Sequence, residues 1–354
     1  MKAVFRVDSS TQMGLGHLMR CLSLADELKK QNHNITFICR ELNGNSIELA
    51  KYKHTVITLP KNENFQSDDF YLKWLGATQD IDAKQTIEKL PENTNCLIVD
   101  SYSLDEKWHK QLRPFVKKII VIDDLADRKF DCDILLNQNL GAKKQDYQGK
   151  KPKDCQLLLG CEYALLRPEF SELRADALEK RKNTKKIKNI LISMGGSDNN
   201  NITHDILKQL GDKFNIVVVL GYLSPHNEMI KDYAKDKNIK VIVNANNMAQ
   251  LMLNADLAIG TSGSTNWERL CLGLPSLIFS VAENQRKYAI KLDSMGLIKF
   301  LGHVGENNIS NTIEKNILSI DNMSDWSDRC FNNCSCNGVS KVTKTLLDCL
   351  ASDK

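Results

Sequence analysis

Short, mostly apolar runs of strand length recur along the chain, each followed by a stretch with a helical stripe. Residues 3–7 (AVFRV), 34–39 (NITFIC), 96–99 (CLIV) and 118–122 (KIIVI) are the clearest in the first half. Runs apolar on both faces are what strands buried between two helix layers require. Between them, residues 17–30 place Leu18, Cys21, Leu22, Ala25 and Leu28 on one stripe of a helix. The same grammar restarts at 189–193 (NILIS), 215–220 (NIVVVL), 240–243 (KVIV), 257–259 (LAI) and 276–279 (SLIF). Strand-then-helix alternation predicts parallel sheets with right-handed crossovers. The expected fold class is therefore α/β, two doubly wound Rossmann-like domains facing a cleft. The boundaries read as a first domain over 1–168, a connector over 169–188, a second domain over 189–336 and a C-terminal helix over 337–354. The connector carries Lys180-Arg181-Lys182 and Lys185-Lys186, a block expected to be a solvated face.

Composition narrows the classes. A chain of 354 residues has room for two cores. Lys plus Arg number 48 against 44 Asp plus Glu, a surplus of +4 that is too slight to predict a nucleic-acid partner. No apolar run reaches the roughly 18 residues of a membrane span, so no membrane insertion is expected. Met1 to Asp8 meets Arg6 and Asp8 too early for a signal peptide, and the reading is cytoplasmic. The 11 cysteines, an odd count scattered through apolar stretches (Cys21, Cys39, Cys96, Cys271), are expected to be free thiols. Cys330, Cys334 and Cys336 lack the fourth ligand of a structural zinc site.

Candidate chemistry lies where strands turn into helices, since ligands of open parallel sheets collect at strand carboxyl ends. Asp8 to His17 forms the first such loop, with Gly14 and Gly16 before His17. Its glycines permit close backbone approach, and the helix amides favour an anion. The positive end of the helix dipole disfavours an imidazolium at His17, leaving the ring able to accept a proton. A second loop, Ser193-Met194-Gly195-Gly196-Ser197-Asp198, follows strand 189–193 and suits a phosphate. The third, Gly260 to Glu268, offers hydroxyls including Ser264, with Glu268 one turn into the helix as an acceptor for a ribose diol or as a capping carboxylate.

These residues resemble a known family. Arg6-Val7-Asp8 with Gly14-Leu15-Gly16-His17-Leu18-Met19-Arg20-Cys21 is similar to the opening signature of the UDP-2,4-diacetamido-2,4,6-trideoxy-β-L-altropyranose hydrolases of pseudaminic acid biosynthesis. So are Val99-Asp100-Ser101-Tyr102, Ile122 to Arg128, Asn137-Gln138-Asn139 and Tyr163 to Phe170. The second-half loops, with Glu283-Asn284-Gln285, also resemble the nucleotide-binding half of the murein glycosyltransferase that uses UDP-GlcNAc. The likeness runs over about residues 1–340. That transferase often has Gly-Gly where this chain has Gly263-Ser264.

The resemblance implies a GT-B architecture and hydrolysis of a UDP-linked diacetamido-trideoxy hexose to free sugar and UDP. It puts the catalytic histidine at His17 and nucleotide binding at Glu268 and Asn284, with Ser264 and Ser197 near ribose or phosphate. Asp8 is expected to orient His17, Arg167 and the loop amides around Gly196 to steady the leaving phosphate, and Tyr102 and Asn139 to touch the sugar. Because UDP leaves as a stable anion, one base suffices where ordinary inverting glycosidases need two carboxyl groups. No metal or cofactor is expected, and Asp123 is read as structural. The partner is a small nucleotide sugar. The competing readings are a UDP-sugar glycosyltransferase, a C2 epimerase of nucleotide sugars and a non-catalytic nucleotide-sugar-binding protein of the same fold.

Overall fold

The computed structural model describes residues 1–196, 198–222, 224–306 and 312–352. The chain divides into two compact units, Met1–Leu165 with Asn337–Lys354, and Leu166–Cys336. In the first, β1 (Lys2–Val7), β2 (Asn34–Arg40), β3 (Thr55–Leu59), β4 (Cys96–Asp100), β5 (Lys118–Ile122), β6 (Ile134–Asn137) and β7 (Gln156–Leu159) form one parallel sheet. Its order is β3-β2-β1-β4-β5-β6-β7. The second unit has β8 (Asn189–Ser193), β9 (Asn215–Leu220), β10 (Ile239–Val243), β11 (Leu257–Thr261), β12 (Ser276–Ser280) and β13 (Lys299–His303). They form a parallel sheet in the order β10-β9-β8-β11-β12-β13. In each sheet the strand order reverses beside the first strand, between β1 and β4 and between β8 and β11. That reversal opens a crevice beyond the strand ends, where ligands of doubly wound folds bind.

Strand alternation explains the two-sided apolar pattern. Ala3, Phe5 and Val7 face a core shared with Leu18, Leu24 and Leu28, while Val4 faces Leu97, Val99, Trp108 and Leu112 on the other side. Arg6, the one buried charge of β1, lies on the Val4 face. Asp82 accepts from its Nε at 3.1 Å and also from Trp108 Nε1 at 3.0 Å. Arg40 Nη2 reaches the same carboxylate at 2.6 Å. A buried charge needs such pairing to be tolerated.

Four expectations change. Residues 169–188 belong to the second unit, which they enter as the helices Pro168–Glu172 and Arg174–Asn183. Arg181, expected in solvent, is buried because its guanidinium donates to the carbonyls of Met252, Ala255 and Leu272. The C-terminal helix Gly338–Ala351 returns to the first unit, where Val342 and Leu346 join the core of Leu18 and Leu24. Cys271 is no free thiol. It ends the helix Thr265–Cys271 and is joined to Cys336, its Cα 5.9 Å away, by a disulfide. The segment after the helix Met323–Asn333 makes neighbours of two cysteines 65 residues apart. Among the described residues, no helix is long and apolar enough to cross a membrane.

Candidate active site

The loop after β1 turns at Gly14, whose φ of +77° lies in the left-handed region that a side chain disfavours. Gly14 N–H closes the turn on the Ser10 carbonyl at 2.8 Å. Gly16 opens the helix Gly16–Lys30, and no side chain caps it at Leu15. His17 is therefore in the first turn, at the end of β1 that faces the loops of β4.

Register supplies its partner. Val7 of β1 pairs with Asp100 of β4, so the Asp100 carboxylate lies beside the start of the helix. His17 Nδ1 is 2.6 Å from Asp100 Oδ1. Arg20, three residues along the same helix face, donates to Asp100 from Nε and Nη2, both at 2.6 Å. Burial pushes the Asp100 carboxyl up, but the Arg20 guanidinium and His17 outweigh it and hold the group well below the usual carboxylate range. An ionised carboxylate only accepts hydrogen bonds. The hydrogen between the two groups is then on His17 Nδ1, and a neutral ring keeps its lone pair on Nε2. Arg20 Nη2 also lies 3.2 Å from Nδ1, an approach of two donors to one carboxylate oxygen.

Tyr102, two residues beyond β4, stands edge-on to the His17 ring at 4.7 Å and 82°. Burial and then Asp124, to which the phenol is hydrogen-bonded, keep that phenol protonated far above its ordinary range. Asp124 also pairs with Arg20 Nη1 at 3.3 Å.

Asp8 is not the partner of His17, contrary to the sequence expectation. Its carboxylate meets Arg6 Nη1 at 2.7 Å and accepts the Arg40 backbone N–H at 2.6 Å. The Asp8 side chain turns to the Arg40 amide of β2, whereas His17 meets Asp100 at the end of β4. Asp123 is buried, accepting from Arg128 Nη1 and the Ala126 N–H, each at 2.8 Å, and from the Tyr147 hydroxyl at 3.2 Å. Asn139 lies buried in the loop after β6, its N–H donating to Asn137 Oδ1 at 2.9 Å.

In the second unit the loops after β8 and β11 are neighbours, because Gly260 pairs with Ser193. Gly196 is packed backbone to backbone against Gly221. A Cβ placed on Gly221 would sit 1.8 Å from the Gly196 carbonyl oxygen. Asp198 takes two amides at the start of the helix Ile202–Leu210, accepting from Ile202 and Thr203 at 3.0 Å each. The anion cradle expected of that helix start is thus partly filled by the protein's own carboxylate. Ser264 is the N-cap of the helix Thr265–Cys271 and makes no side-chain capping bond.

Arg167 and Glu268, singled out separately, meet. Arg167 Nη2 is 3.5 Å from Glu268 Oε1 and its Nη1 is 2.8 Å from Glu169 Oε1. The guanidinium also lies over the Phe170 ring at 5.2 Å. Burial raises the Glu268 carboxyl, against the pull of Arg167 and Arg269. Burial in turn draws Arg269 down to about 10, opposed by Glu268. Asn284 is in the first turn of the helix Glu283–Ser294. Its side chain, and the whole of Ser197, lie outside the described residues.

Two doubly wound units, each a parallel sheet whose strand order reverses beside its first strand, give the chain a GT-B-type fold. The fold of MurG from Acinetobacter baumannii matches with a TM-score of 0.66 at 14% identity, over 98% of this chain and 99% of that one. Residues 175–321 match the glycosyltransferase family 28 C-terminal domain. An uncharacterized protein of Methanocaldococcus jannaschii is 34% identical over 298 residues, 81% of this chain and 57% of the relative, so the chain spans little over half its length. The UDP-2,4-diacetamido-2,4,6-trideoxy-β-L-altropyranose hydrolase of Campylobacter jejuni is 29% identical over 84% of this chain and 97% of its own. These comparisons support the family read from the motifs, that of this hydrolase and its relatives.

Proposed function

We propose that the chain hydrolyses a UDP-linked 2,4-diacetamido-2,4,6-trideoxy hexose to free sugar and UDP, with inversion and without a metal. The observation that carries the reading is the His17–Asp100 contact at 2.6 Å, which fixes Nδ1 as donor and leaves Nε2 to take a proton from water. The water oxygen bonds to C1 as the bond from C1 to the diphosphate oxygen breaks, and that electron pair leaves with UDP. Asp100 holds the ring in one tautomer and stabilises the imidazolium as it forms. A base so placed supplies on the order of 10²–10⁴ in rate. The second unit's part is to bind UDP, with Glu268 as ribose acceptor and the amides around Gly196 on the phosphates. The relative's name supports the substrate class.

The test is incubation of the purified chain with this UDP-sugar and no acceptor, following the anomeric proton by NMR. Release of free sugar and UDP is expected. The family 28 match favours one second reading, transfer to an acceptor hydroxyl in place of water. UDP release only when an acceptor is added would establish it.

A further inference from the structure

The helix Phe70–Leu75 brings three aromatic rings to the His17 site that the sequence reading did not use. Asp69 caps its start, accepting from Tyr71 and Leu72 N–H at 2.8 and 2.9 Å. Gly76 ends it in the left-handed conformation, and Leu75 is buried. The Ser103 hydroxyl, just after Tyr102, donates to the Tyr71 carbonyl and ties the helix to the loop after β4. The ring positions are therefore set before any ligand arrives. Tyr71 lies 5.5 Å from Tyr102 and Trp74 lies 6.2 Å from it, while Tyr102 touches His17. Phe70 packs on Trp74 at 5.1 Å and is 61% exposed, so the cluster is not sealed into a core. Tyr71 and Trp74 are half-buried.

We propose that Tyr71 and Trp74, continuing the Tyr102 ring, form a platform for the apolar face of the sugar, its C6 methyl and acetamido methyl groups. The inference rests on the reading that the sugar meets His17. Aromatic rings gain most from apolar surface laid against them. A deoxy, twice N-acetylated hexose offers methyl groups where UDP-GlcNAc has a hydroxymethyl at C5 and a hydroxyl at C4. The platform makes that difference count.

Trp74 is half-buried while Trp108, Trp267 and Trp326 are buried, and its share of the emission is isolated by subtracting the Trp74→Ala response. The full chain carrying His17→Asn, which leaves substrate uncut, is titrated with the diacetamido UDP-sugar, UDP-GlcNAc and UDP, reading tryptophan emission. The diacetamido sugar is expected to change the emission and UDP alone to leave it unchanged. Trp74→Ala in the same background removes the signal. By calorimetry it weakens the diacetamido UDP-sugar about tenfold, with UDP within about twofold and Trp74→Phe in between. Unchanged affinity in a folded Trp74→Ala chain, or an equal emission response to UDP alone, overturns the platform. Absence of turnover by the unmodified chain would overturn the hydrolase reading and leave the platform to be decided by these binding curves.

Discussion

Replacing Asp100 with asparagine keeps the shape of the side chain and removes the charge on which His17 and Arg20 converge. Three N–H groups point at the carboxylate, each at 2.6 Å. The amide has one acceptor oxygen and a donor NH₂ that must face either Arg20 or His17. Facing Arg20, it opposes donor to donor beside a buried guanidinium whose remaining carboxylate, Asp124, is 3.3 Å away. Breaking one side of a buried pair costs about 3–5 kcal/mol, a large part of the roughly 5–15 kcal/mol of a folded protein. Facing His17, it donates to Nδ1, moves the ring hydrogen to Nε2 and removes the base. The expected loss in kcat is about 10³-fold, within the range a general base supplies and equal to about 4 kcal/mol of barrier. The assay is UDP release at 25 °C on protein shown folded by circular dichroism, with ¹⁵N NMR of the imidazole to read the tautomer. Asp100→Glu, which restores the carboxylate, should recover part of the rate. A folded Asp100→Asn chain with kcat within about threefold of the unmodified one would refute Asp100 as the positioning residue, since the general-base contribution is far larger.

Other outcomes follow from the same geometry. Asp100 is held below its ordinary value when folded, so its stabilisation is complete above the unfolded carboxylate's value of about 3.9 and is lost as pH falls below it. Asp100→Asn should flatten the acid limb of a thermal-stability profile, and an unaltered limb contradicts this. His17→Asn should cost at least about 10²-fold in kcat with calorimetric UDP affinity within a few-fold; retention of more than about a tenth of the rate removes His17 as base. Glu268→Ala should weaken UDP about tenfold, and unchanged affinity would leave Glu268 only its pairing with Arg167. Gly221→Ala forces a Cβ to 1.8 Å from the Gly196 carbonyl, so the melting temperature and UDP affinity should fall together. A normal affinity in a destabilised chain would separate the loop from the nucleotide.

The apolar runs made the central strands legible, because burial on both faces leaves one pattern. β3 (TVITL), β6 (ILLN), β7 (QLLL) and β13 (KFLGH) were less so. β3, β7 and β13 are edge strands whose faces are partly exposed, which weakens the pattern, and β6, though buried, spans only Ile134–Asn137. The place of His17 in the first helical turn was legible from the glycines before it. Its partner was not, because Asp8 is near His17 in sequence while Asp100 is near it across the β1–β4 ladder. One signal was available: Asp100 ends an otherwise apolar strand, CLIVD, and Arg20 shares a helix face with His17. The Arg167–Glu268 pair and the Cys271–Cys336 bond join residues 101 and 65 positions apart, and no local pattern encodes such a separation.

Hydrolysis of the diacetamido UDP-sugar in H₂¹⁸O, followed by NMR of the anomeric proton and mass analysis of both products, tests the central claim most directly. The account predicts ¹⁸O at C1 of a sugar released with inverted configuration, and unlabelled UDP. Label in the phosphate, or retained configuration at C1, would contradict it.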